Sequence, residues 1–212
     1  MAHNLQPKPS KPPHSEGTHM NARAKQRFSI ALCILAVPLT ATAHTLGTHG
    51  AGFLQGMLHP LSGIDHLLAM LAVGIWASQL GGSALWAVPM AFVGAMMLGG
   101  LLGMTGYTLP FTETAIVLSV LTLGLMISFA VHVPTAVGML LVGGFAVFHG
   151  QAHGMELPQA ASGVGYALGF VITTAVLHVA GILAGFGLPR IDSRNVVRGS
   201  GIAIAMTGLA LL

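Results

Sequence analysis

Charge is what this sequence lacks most. Only 6% of its 212 residues are Asp, Glu, Lys or Arg, whereas 54% are hydrophobic. A soluble domain carries about 25% charged residues, so this chain has too few to build a surface for water. Its mean hydropathy of +0.81 fits lipid as the solvent. Basic charge is also absent from most of the chain. Lys8, Lys11, Arg23, Lys25 and Arg27 all precede residue 28. From His44 onward there is no lysine, and Arg190, Arg194 and Arg198 stand against Asp65, Glu113, Glu156 and Asp192. No basic patch remains that would serve nucleic acid. Cysteine is nearly absent too: Cys33 is alone, in the N-terminal apolar run. Beyond it no disulfide, thiolate zinc site or iron–sulfur cluster can form. A metal held there needs imidazole, carboxylate, thioether or backbone ligands.

What is present begins with two leader patterns. Residues 1–19 are polar and Pro-rich, and read as a leader foreign to a natural start at Met20; His3, His14 and His19 belong to it. From Met20, the basic MNARAKQR, the 12-residue apolar FSIALCILAVPL and the A-x-A form of Ala41-Thr42-Ala43 make a secretory signal peptide. Cleavage after Ala43 is expected, leaving His44 as the mature N-terminus.

Six apolar segments follow, at about 51–79, 84–104, 112–131, 134–152, 160–187 and 195–212, each near the length that a helical span needs. The expected fold is therefore all-α, a polytopic membrane bundle of six transmembrane helices in one domain over 44–212. The connectors are GGSA, TGYTLPF, HVP and LPRIDSRNVV. Small-xxx-small pairs recur at Gly52/Gly56, Gly99/Gly103, Gly165/Gly169 and Gly181/Gly185, the spacing that lets helices approach closely in lipid. A cleaved signal puts His44 outside a bacterial inner membrane, and six spans return the C-terminus outside. The loop before the last span is then inside, and it holds every arginine of the mature chain, as the positive-inside rule asks.

That topology gives the polar residues a side. His44 and His49 lie in the outer tail; His59, Asp65 and His66 in the outer half of span one; Glu113 at the outer start of span three; His149, His153 and Glu156 at the outer end of span four. Six of the eight histidines after the signal share one face. In HPLSGIDH, Pro60 and Gly63 should kink or open the helix, and an intramembrane Asp persists where it faces a partner or a cavity. The bland alternative is a helix start at the membrane surface, with Asp65 paired to His66. In HGQAHGME, His149 and His153 are i, i+4 and Glu156 follows at i+3, so all three can face one way; Gly150 and Gly154 would instead permit a loop. Imidazole with carboxylate suits Ni, Co, Zn or Cu(II). Met57, Met70 and Met155 leave Cu(I) open. His178, deep in span five, is either a second station on a path or a histidine bonded to a neighbouring helix. Glu113 either guards the mouth or caps its helix.

With these motifs in view the chain resembles the HupE/UreJ family of hydrogenase and urease accessory membrane proteins. The resemblance covers roughly 44–212 and rests on HPLSGIDHLLAM, FHGQAHGMELP, the His after the signal and the six-span layout. It implies a nickel or cobalt permease feeding metalloenzyme maturation proteins. His59, Asp65 and His66 would form the core of the site, His149, His153 and Glu156 would complete it, and His44 and His49 would capture the ion. The expected function is transport rather than catalysis, with no permanent cofactor. A membrane electron carrier with haem between His66 and His178 is the alternative. No nucleotide-binding motif and no H-E-x-x-H protease motif is present.

Overall fold

The computed structural model describes residues 48–157, 162–191 and 194–212; the side chains of 48–51 and 188–194 fall outside that description. The leader, the signal peptide and its cleavage site, and His44 also lie outside the described residues. Seven α-helices and one short 3-10 turn make up the described chain, with no strand among the described residues. The helices are α1 Thr48–Leu58, α2 Ile64–Leu80, α3 Ala84–Met104, α4 Thr112–Ser128, α5 Thr135–Met155, α6 Gly163–Ile191 and α7 Arg194–Leu211. Three of them, α3, α5 and α6, are long and apolar enough to cross a membrane, and α1 with α2 forms a bent pair that qualifies as a fourth. The apolar stretches of α4 and α7 are shorter, at Thr112–Ser128 and Asn195–Leu211.

The break expected at Pro60 and Gly63 within 51–79 is present: Gly52–Leu61 and Ile64–Leu80 meet at 78°. Pro60 is the second residue of the 3-10 turn His59–Leu61. Ser62 Oγ and Ser62 N both donate to His59 O, at 2.6 and 3.0 Å, which caps that turn. Gly63 then leaves the helical region (φ −102°, ψ 124°), and α2 starts afresh. The connector LPRIDSRNVV, by contrast, is shorter than expected, because α6 runs on to Ile191 and α7 begins at Arg194.

Helix α2 is the axis of the bundle. Ala69, Met70 and every residue from Ala72 to Ala77 are buried, so the middle of the helix is enclosed all round, as its apolar run from Leu67 to Ala77 demands. Trp76 Nε1 donates to Val131 O at 2.9 Å and Gln79 Nε2 to Ile127 O at 3.1 Å, tying its C-terminal end to the end of α4. Around it the large side chains face outward: Leu140 is 77% exposed and Leu98 67%. An apolar exterior of this kind is stable where lipid rather than water surrounds it.

Glycines set the helix contacts. A Cβ on Gly150 would strike Met96 O, one on Gly154 would strike Gly100 O, and one on Gly99 or Gly103 would strike Val147 O or Gln151 O. The α3–α5 seam is therefore backbone against backbone. Gly74 and Gly181 do the same for α2 and α6, and Gly56 and Gly169 for α1 and α6. The small-xxx-small spacing in the sequence is used at each of these contacts.

Candidate metal site

Two elements bring the site together. The 3-10 turn and the first turn of α2 carry His59, Asp65 and His66; the last two turns of α5 carry His149 and His153, with Glu156 at its C-terminal cap. The glycines of HGQAHG do not open a loop. They lie inside a continuous helix, where their missing side chains let α5 press on α3. His149 and His153 consequently share a face.

The four imidazoles form a row. Ring centroids are 4.7 Å apart for His59 and His153, 4.2 Å for His153 and His66, and 4.7 Å for His66 and His149. At one end, His59 Nε2 lies 2.8 Å from Glu156 Oε2, and His153 Nδ1 lies 3.8 Å from the same oxygen. Ligand atoms of His59, His153 and Glu156 all fall within 4.8 Å of one another, a spacing that a single ion can bridge. Glu156 is exposed whereas His153 is buried, so this trio reaches from the surface to the interior.

Tautomers of the other two histidines follow from their partners. Ser119 Oγ donates to Ile116 O at 2.6 Å, so its hydroxyl proton is spent. It therefore accepts from His149 Nε2–H at 2.8 Å, and His149 Nδ1 is left with a bare lone pair. Asp65 Oδ1, 2.9 Å from His66 Nδ1, accepts its proton and also the His66 backbone N–H at 2.8 Å. His66 Nε2 is then the bare nitrogen. Both bare nitrogens are buried without a hydrogen-bond partner in the protein, as are both nitrogens of His153. A carboxylate that fixes an imidazole in this way orients it for metal and raises its basicity. Asp65 Oδ1 is thus engaged with His66. Gly63 makes the pair possible: a Cβ there would come within 2.7 Å of Asp65 Oδ1.

The remaining expected residues are more scattered. His49 lies in α1 with its side chain undescribed. Glu113 is exposed in the first turn of α4, and no described contact joins it to the histidine row. The helix start beside it carries no side-chain cap; Thr112 Oγ1 instead lies 2.9 Å from Leu109 O and 2.8 Å from Gln151 Oε1, two acceptors that share its one proton. His178 is buried on α6, away from the row, and its ring meets Phe92 edge-on at 5.2 Å. Sequence reasoning missed Ser119, Tyr166 and Phe170. Phe170 packs on His153 at 4.3 Å, and the Tyr166 ring lies 5.7 Å from His59. Nothing in the apolar surroundings of Ser119 marks it out, since hydroxyls that bond their own helix are ordinary in spans.

Ser119→Ala would leave His149 Nε2–H unpartnered in a sealed position. We expect a loss of about 1–3 kcal/mol, the usual cost of a buried donor left alone, read as a lower thermal midpoint in detergent. An unchanged midpoint would mean that Ser119 does not hold the ring.

Fold and site together define a helical membrane protein with a buried histidine row that opens to its surface through a carboxylate. The HupE / UreJ protein family model matches residues 31–211. The chain is 49% identical over 187 residues to Protein HupE of Rhizobium leguminosarum bv. viciae, covering 88% of this chain and 97% of that protein. It belongs to the HupE/UreJ family of hydrogenase and urease accessory proteins. No solved structure matches it.

Proposed function

We propose that this protein is a permease that carries a divalent transition-metal ion, Ni2+ or Co2+, into the cell for hydrogenase or urease maturation. The observation that carries the reading is the row of imidazoles whose free nitrogens are buried and unpaired within the protein. Burying a polar atom without a hydrogen bond is costly, and a cation is the ligand that would make use of several lone pairs at once. Imidazole and carboxylate without thiolate favour Ni, Co or Zn over softer ions. The trio of His59, His153 and Glu156 receives the ion, and His66, held by Asp65, passes it to His149. The His-bearing tail with His44 and His49 captures the ion outside. Six spans, with both termini outside after signal cleavage, complete this arrangement and put Arg198 at the inner end.

The haem alternative has no observation in its favour. His66 sits against His149 and His153, whereas His178 sits against Phe92.

Expression of the chain in cells stripped of other nickel importers should restore accumulation of radiolabelled nickel, with cobalt competing better than zinc. Accumulation no higher than in empty cells would sink the reading. A Soret band in the purified protein would revive the haem alternative.

A further inference from the structure

Past the histidine row the bundle holds another set of unpaired polar atoms. His178 is 2% exposed and neither ring nitrogen has a hydrogen-bond partner in the protein. Thr174, one turn earlier on the same face of α6, is fully buried, and its Oγ1 is likewise unpartnered. A buried threonine in a helix normally donates to the carbonyl three or four residues back; this one does not. The Phe92 ring stands between this pair and the row, 5.7 Å from His149 and 5.2 Å from His178.

Position along the axis gives the pair a place in a sequence of stations. Gly74 of α2 abuts the His178 carbonyl, so His178 lies about 12 Å further along α2 than His66 at 1.5 Å per residue. Beyond it, Gln79 Oε1 is a further buried acceptor with no partner. Gln79 lines a cavity of about 490 Å³ at the opposite end of the bundle, together with Ser78, His132 and Arg198.

We propose that His178 and Thr174 form a second binding station for the transported ion, on the far side of Phe92, from which it leaves toward the Gln79 cavity. This rests on reading the chain as a metal-ion carrier. The ion would pass from bare nitrogens on α2 and α5 to a nitrogen and a hydroxyl on α6. Phe92 separates the two stations, so that neither is continuous with the other through an open pore.

Purified full-length protein titrated with Co2+ alone, followed by its visible absorption, tests the idea. Wild type should bind in two steps, and His178→Ala should keep the first step and lose the second. Labelled-nickel uptake should fall at least about tenfold in the same variant, within the usual range for lost metal-site partners. Both steps retained with wild-type uptake would overturn the proposal and leave the carrier reading standing. No binding and no uptake by wild type itself would overturn both. If His178→Ala does not accumulate in the membrane, Thr174→Val decides. It keeps the shape and the histidine, and should weaken the second step about threefold or more, whereas an unchanged second step would overturn the proposal.

Discussion

Nickel uptake should fall to background when His153 is replaced by alanine. His153 touches both its neighbours in the row, at 4.7 Å to His59 and 4.2 Å to His66. It also completes the only cluster of three ligands within bridging distance among the described residues. Removing it takes one ligand from the entrance and breaks the line to His66. Loss of a group that merely orients a ligand costs about 10–100-fold in affinity, and loss of the ligand itself should exceed that range. Folding should suffer little. The ring has no hydrogen-bond partner to strand, and it borders a cavity of about 120 Å³ that already exists. The check is uptake of labelled nickel normalised to protein in the membrane. Uptake within threefold of wild type would remove His153 from the path. Asp65→Asn offers a graded comparison, since it keeps an acceptor for His66 Nδ1 but loses the charge.

A second large effect is expected far from any ligand. Gly154→Leu should prevent accumulation of folded protein, because a Cβ at this position already meets the Gly100 carbonyl and Cα. Backbone cannot swing aside as a side chain does, so α3 and α5 must part along their length. Gly150→Ala should be milder, at about 1–3 kcal/mol, the range for an overpacked core, because the same seam must open by less than the width of a methyl group. Membrane-fraction yield and the thermal midpoint read both. Wild-type yield for Gly154→Leu would mean that the two helices are not in close contact at this point.

Much of the fold was legible from apolar runs. The boundaries at 84–104 coincide with α3, and 112 and 195 fall within a residue of the starts of α4 and α7. Lipid makes this possible, because spans must satisfy their backbone internally and so read as long apolar stretches. Other features were not legible. Pro60 and Gly63 announced a break, but neither its 78° angle nor the packing of α1 on α6 through Gly56 and Gly169 could be read from them. That contact is tertiary and leaves no local mark. Gly150 and Gly154 argued for a loop by propensity and were overruled by the facing glycines of α3.

The candidate site was legible as two motifs, and the structure brings His59, His66, His149, His153 and Glu156 together. Pattern reading left open whether Asp65 pairs with His66, and the placement of Asp65 Oδ1 against His66 Nδ1 shows that it does. Ser119 contributes through a hydroxyl 30 residues away from His149, with no spacing rule to reveal it. Phe92 looked like one more apolar residue of α3 until its ring was seen between two histidines.

The α3–α5 seam has a mechanical side. Where the two helices meet glycine to carbonyl, no side chain stands between them. Such a joint resists being pulled apart, yet offers little resistance to a short slide along its length, the motion by which packed helices shear. Phe92 rides on α3, and His149 and His153 ride on α5. A slide of a fraction of a turn would shift the aromatic ring past the imidazoles. The smoothness of this bearing is a property of the missing side chains, and adding even one methyl group would put a tooth in it.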